Sequence, residues 1–187
     1  IFNLLSALNW VEHTQKVIGM INETAKLSTD MESGMRGYLL AGDLAFLTPY
    51  QVARPLVQAE LDSLIKLVGD NDYQVARLRK IKSQITEWDK YAQSMIELRQ
   101  NNQDYLSIVR SQRGKVQFDE LRKDLTQTLE TEQRLLKERN DKAISTTYIS
   151  VIAFLIISLL VSGLLALMGR KHLMGLSKNY SEILNKQ

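Results

Sequence analysis

The residues best placed to do chemistry lie in one block, Asp30-Met31-Glu32-Ser33-Gly34-Met35-Arg36-Gly37-Tyr38-Leu39-Leu40-Ala41-Gly42-Asp43. Arg36 follows Glu32 by four positions, so on a helix the two share a face within ion-pair reach. A guanidinium can also grip a carboxylate or phosphate through two parallel hydrogen bonds. Arg36, Tyr38 and Glu32, with Arg113 from later in the chain, are therefore the candidate ligand-binding residues of a polar recess. The plainer alternative is a capped, ion-paired helix end packed against a turn. Gly34 and Gly37 share a face, and each costs about 1 kcal/mol relative to Ala inside a helix, so close packing is the expected compensation. With Gly42, Asp43 and Pro49 they form the structural motif of the block. Elsewhere the sequence has no Gly-rich phosphate loop, nucleophile motif or metal-ligand spacing. No catalytic residue, metal or cofactor is expected, and any enzyme activity is expected beyond Gln187. His13 lacks companion ligands and reads as an interfacial or packed histidine. Trp88 and Tyr91 read as core and surface aromatics. Net charge is +3 with signs well mixed, which leaves no nucleic-acid footprint, and Cys is absent.

These residues sit on long helical patterns. Trp10, Thr14, Val17, Ile21, Thr24, Ser28, Met31, Met35 and Tyr38 alternate steps of four and three, which is a heptad seam. Its polar middle, Thr24 and Ser28, is either a shiftable core layer or a pair of hydroxyls bonded back to their own helix. Pro49 and Pro55 are expected to enforce an irregular turn and a restart. Val57, Leu61, Leu64 and Val68 mark a second helix; Gly69 to Asp72 break it, with Asp72 as the expected N-cap. Leu78, Ile81, Ile85, Trp88, Ala92 and Met95 mark a third. After Tyr105 to Val109, Arg113-Gly114-Lys115 reads as a turn, and Phe118, Leu121, Leu125 and Leu129 mark a fourth. The four segments, Trp10–Leu40, Asp43–Gly69, Asp72–Asn102 and Val116–Ala143, are about 27 to 31 residues each, or roughly 40 to 47 Å as helix. The fold class expected is all-α, an antiparallel up-down-up-down four-helix bundle over residues 9–142. Its turns at Leu40–Pro49 and Asn102–Val116 then share the pole far from a membrane.

The membrane enters through Ala143 to Gly169, where no charged residue occurs. A bilayer core needs about 20 apolar residues of helix, and this run exceeds that without a Pro. Nothing else in the chain is apolar enough to bury such a helix on all sides. Residues 143–169 are therefore read as a transmembrane helix continuing the last bundle helix. Arg170, Lys171 and His172 stop it, and residues 170–187, with Leu173, Leu176, Tyr180, Ile183 and Gln187 in three-four spacing, are read as a cytoplasmic linker helix. Residues 1–8, with Ile1, Phe2, Leu4, Leu5, Ala7 and Leu8, read as the end of a truncated first membrane helix with Trp10 at its interface, or as an ordinary amphipathic start. Arg134, Lys137, Arg139 and Lys142 precede the run; Arg170, Lys171, Lys178 and Lys186 follow it. Four against four does not fix orientation. The mixed run from Arg134 to Lys142 is read as a solvated face.

The block from Glu32 to Tyr50 resembles the CHASE-three sensor family, extracytoplasmic domains of bacterial signalling receptors. The resemblance is carried by Glu32, Gly34, Arg36, Gly37, Tyr38, Leu39, Leu40, Gly42, Asp43, Phe46, Leu47, Pro49 and Tyr50. Trp10-Val11-Glu12-His13-Thr14, Gly114-Lys115 and Phe118-Asp119-Glu120-Leu121-Arg122 support it. It spans about Leu8 to Asn140; Ser33 and Ala41 depart from an expected Thr. The resemblance implies an all-helical sensor between two membrane helices of a usually dimeric receptor, with the large domain outside, and it supplies no ligand. The function expected is a sensor and transmembrane signal-transduction module in the bacterial inner membrane. Its partners are the lipid bilayer, a second copy through the transmembrane and linker helices, and an unknown small-molecule or protein stimulus. The missing output is most simply a histidine kinase, with a chemotaxis receptor or diguanylate cyclase as the alternative. Gly175-Leu176, where a HAMP linker has Pro-Leu, leaves that choice open. A membrane-tethered scaffold without a stimulus is the rival from another class, and a pore is disfavoured because the apolar run has no ionisable residue.

Overall fold

Spacing in threes and fours becomes helix along almost the whole chain. The computed structural model describes residues 2–69 and 71–184, with side chains from 5 to 69 and from 71 to 175. Its elements are α1 (Phe2–Ala41), a 3-10 turn (Leu44–Leu47), α2 (Thr48–Leu67), α3 (Asp72–Gln100), α4 (Leu106–Arg110) and α5 (Arg113–Leu184), and no strand occurs among the described residues. The side-chain roles expected of Ile1, Phe2, Leu4, Asp70, Leu176, Tyr180, Ile183 and Gln187 lie outside the described residues. The chain divides into two units, Asn9–Arg139 and the pair of segments Ile1–Leu8 and Asn140–Gln187.

In the unit Asn9–Arg139 the seams read from the sequence make the core. Val17, Ile21, Met31, Met35 and Tyr38 of α1 are buried with Val57, Leu61 and Leu64 of α2, Leu78, Ile81, Ile85, Trp88, Ala92 and Met95 of α3, and Phe118, Leu121 and Leu125 of α5. Each of the larger aliphatic side chains among them is worth about 1.5–3 kcal/mol of burial, against about 0–1 for an exposed ion pair. The core therefore sets stability, and the polar pairs around it set register. Those pairs run in opposite order along neighbouring helices. Between α2 and α3, Tyr50 and Arg54 meet Asp89, Gln58 meets Thr86, and Asp62 meets Lys82. Between α3 and α5, Gln74 meets Glu132, Lys80 and Gln84 meet Asp124, and Arg113 meets Glu87. Between α1 and α5, Thr14 meets Arg139 and Glu32 meets Arg122. The buried hydroxyls of Thr24 and Ser28 donate to the carbonyls of Met20 and Thr24 at 2.9 and 2.7 Å. The second of the two readings therefore holds for both.

Several local expectations are corrected. The N-cap of α3 is Asn71, whose side chain accepts from the Gln74 amide at 3.2 Å. Asp72 is instead the first helical residue, where a carboxylate suits the positive end of the helix dipole. Asp43 does not begin a helix but caps the 3-10 turn, accepting from the Ala45 amide at 2.9 Å. Pro49 lies in the first turn of α2, where its missing N–H costs nothing. Pro55 lies inside α2 and does not restart it. It faces solvent while Ala53 and Val57 beside it are buried, so packing on the inner face outweighs the lost bond. Arg113-Gly114-Lys115 is not a turn. The reversal is Ser111–Gln112, with Gln112 at φ 60°, and α5 starts at Arg113. Arg139 is not merely part of a solvated face: it donates to Thr14 Oγ1, and its guanidinium lies 4.7 Å from the centre of the Trp10 ring.

The second unit is described by its apolar content. Within α5 an 18-residue window has mean hydropathy 2.8 and none of it is buried, which makes it a candidate membrane span. Thr146, Thr147 and Ser150 donate to the carbonyls of Lys142, Ala143 and Thr146 in their own helix. Such bonds satisfy hydroxyls where no water competes.

Candidate ligand site

The end of α1 is anchored by its glycines. A Cβ on Gly34 would lie 2.7 Å from the Tyr50 amide nitrogen, and one on Gly37 would lie 2.9 Å from the Phe46 ring. Gly42, at φ 73°, closes the helix with its N–H donating to the Tyr38 carbonyl at 2.8 Å. These contacts pull the 3-10 turn and the start of α2 onto α1. The Leu39 carbonyl accepts from Tyr105 Oη at 2.9 Å, which brings the segment before α4 to the same end. Within five residues the block thus gives Arg36 to the surface, Gly37 to the turn, Tyr38 and Leu39 to the core, and an exposed Leu40.

Beside this anchor opens a recess of about 340 Å³. Glu32, Met35, Arg36 and Leu39 of α1 form one wall; Trp88 and Tyr91 of α3 and Val109 of α4 form the next. Gln112 and Gly114, Lys115, Asp119 and Arg122 of α5 complete it. The volume is at the lower end for small-molecule sites. A second recess, between α1 and α5 around Ile21, Ala25 and Leu125, holds about 80 Å³ and is too small for an organic ligand.

The charges in the recess are linked in a chain. Glu32 accepts from Arg122 at 3.2 Å and lies 3.5 Å from Arg36; Asp119 lies 2.5 Å from Lys115 and 3.7 Å from Arg122. The Arg122 guanidinium also lies 5.0 Å from the centre of the Phe118 ring. The hydrogen bond from Lys115 holds the Asp119 carboxyl below its usual range, and burial pushes the Tyr91 hydroxyl up. Gly114 is required by Tyr91: a Cβ there would overlap the ring. Gly114 and Lys115 belong to the first turn of α5, whose N–H groups have no acceptor within the helix and so add positive potential to the recess.

Of the four residues expected to bind a ligand, the structure brings Glu32 and Arg36 together in the recess. Tyr38 is 4% exposed and belongs to the core, and Arg113 pairs with Glu87 at 3.9 Å rather than lining the recess. The sequence reading missed Lys115, Asp119 and Arg122 as site residues. Their four- and three-residue spacing was a usable signal, but only the fold puts that face of α5 opposite Arg36. Trp88 and Tyr91, read as structural aromatics, also line the recess. Among the described residues no group of His, Cys, Asp and Glu is arranged to hold a metal ion.

The all-helical unit thus carries a charged, apolar-floored recess, in a chain that also has a candidate membrane span. The family model of the CHASE3 domain matches residues 7–142, and the chain belongs to that family. CHASE3 domains are extracytoplasmic sensor domains found in histidine kinases and chemoreceptors. No curated protein and no solved structure matches the chain.

Proposed function

We propose that this chain is the sensor and transmembrane signalling module of a dimeric bacterial receptor. Helices α1, α2, α3 and the first thirty or so residues of α5 form an up-down-up-down bundle outside the inner membrane. The opposite running of each set of polar pairs supports this topology. Residues 1–8 end a first membrane helix, 143–169 cross the bilayer, and 170–187 lead to a cytoplasmic output. A histidine kinase is the output we favour, and a chemoreceptor or cyclase signalling domain is the other.

The observation that carries the reading is the unbroken course of α5. Its first turns line the recess at Gly114, Lys115, Asp119 and Arg122, and the same helix continues to Leu184. A ligand that favours one placement of these turns biases the whole helix, because interfaces between packed helices switch by about 1–2 Å. The bias equals the ligand's preference between the two placements, about 1.4 kcal/mol for each tenfold difference in affinity.

The test uses the absence of native Cys. Single cysteines from Ala143 to Leu173 are introduced into the chain in nanodiscs and oxidised. Dimer neighbours are expected to cross-link at three-four intervals. Gly114→Leu, which must displace Tyr91, is expected to shift that pattern, with Gly114→Ala as the milder wedge should the leucine prevent folding. A folded wedge variant with an unchanged pattern, or cross-linking without periodicity, overturns the reading.

A further inference from the structure

The recess has a charge imbalance and an apolar floor, and together they specify a class of ligand. Three cations, Arg36, Lys115 and Arg122, face two carboxylates, Glu32 and Asp119. Arg122 bridges both carboxylates, and Lys115 is bonded to Asp119 at 2.5 Å. Arg36 is the loosely held member: among the described residues its one ion pair is at 3.5 Å, and its side chain is 69% exposed. One positive charge is therefore unmatched, and it belongs to the side chain freest to swing onto a ligand. Below it the lining is apolar and aromatic, from Met35, Leu39, Trp88, Tyr91 and Val109.

We infer that the recess binds an organic monocarboxylate with a compact aromatic or branched aliphatic body. The carboxylate pairs with Arg36 and is supported by Lys115, and the body covers the apolar floor. This rests on the sensor reading above and names the stimulus for that site. A single negative charge completes the balance, whereas a phosphate ester, at about −1.5 to −2, exceeds it. An inorganic anion leaves the floor wet. The volume of about 340 Å³, at the lower end for small-molecule sites, suits a compact molecule.

The test is fluorescence titration of the full 187-residue chain in nanodiscs, with Trp10→Phe so that Trp88 is the only indole. The probe is 3-phenylpropionate, compared with 3-phenylpropan-1-ol, 2-phenylethylammonium, acetate and inorganic phosphate; empty nanodiscs correct for partitioning. Saturable binding of 3-phenylpropionate is expected, at least about tenfold tighter than any of the others. Arg36→Gln is expected to weaken it about tenfold or more. Lys26→Gln, which removes an exposed cation that does not line the recess, is expected to leave it unchanged. Equal binding of the alcohol, equal binding of acetate or phosphate, indifference to Arg36→Gln, or no saturable response to the carboxylate overturns the inference. A wedge at Gly114 that shifts the cross-links while 3-phenylpropionate fails to bind removes the ligand class and keeps the sensor. Binding of the probe without any shift in cross-links keeps the site and removes the signalling role.

Discussion

The glycines of α1 allow one substitution to be made three times on the same helix with three different outcomes. At Gly19 an added Cβ meets nothing within 4 Å. Gly19→Ala therefore gains helix propensity alone and is expected to stabilise by about 0.5–1 kcal/mol. At Gly37 the nearest atom is 2.9 Å away, but it is on the Phe46 ring, which is half exposed and can swing aside. Gly37→Ala is expected to fall near zero, the propensity gain offset by the displaced ring. At Gly34 the Cβ would lie 2.7 Å from the Tyr50 backbone nitrogen, 3.1 Å from Tyr50 Cβ and 3.2 Å from the Phe46 carbonyl oxygen. Backbone cannot rotate out of the way, so α2 and the 3-10 turn must move off α1. Overpacking of this kind costs about 3 kcal/mol, which leaves a net loss of about 2 after the propensity gain. One kcal/mol moves the midpoint of a unit this size by about 3–5 °C. Thermal and urea unfolding of the solubilised chain should therefore rank Gly19→Ala above Gly37→Ala above Gly34→Ala, with a spread of about 3 kcal/mol. If Gly34→Ala were as stable as Gly19→Ala, the close approach of α1 and α2, and with it the anchor of the recess, would be refuted.

Other consequences are equally direct. Asp89 accepts from Tyr50 Oη at 2.5 Å, Arg54 Nε at 2.9 Å and Gln93 Nε2 at 2.7 Å. Asp89→Asn should cost about 2 kcal/mol in urea unfolding, and the loss should shrink when Tyr50→Phe is already present. Arg139→Ala removes the donor to buried Thr14 and the cation over Trp10. It should destabilise by about 1–2 kcal/mol and shift Trp10 emission, whereas Lys137→Ala should do neither. Glu132 is buried, and that burial raises its carboxyl pKa although Arg139 and Arg77 oppose the shift. The unfolded chain then ionises first as pH rises, so the folded state loses stability from the ordinary glutamate value up through the raised folded value. Glu132→Gln should flatten the stability–pH profile in that window, measured by urea unfolding from about pH 4 to 8; an unchanged slope would show that Glu132 is not the cause.

Hydrophobic period alone determined that this chain is helical and which faces are inside. Every core residue named on the seams of the second and third helices is buried, because a three-four repeat admits one inner face. The uncharged run from Ala143 to Gly169 was equally legible, since length and composition suffice to define a candidate span. The Glu32–Arg36 pairing could be read from spacing, because both residues lie on one helix. Tertiary structure decided what depends on approach between helices. Gly114 reads as a turn residue until the Tyr91 ring is seen to occupy the space of its missing side chain. Arg139 reads as solvated until Trp10 and Thr14 meet it. The recess itself brings residues 32 and 122 within hydrogen-bonding distance across ninety positions of chain. Spacing along one helix says which residues share a face; only the packing of that face against another says what lies opposite.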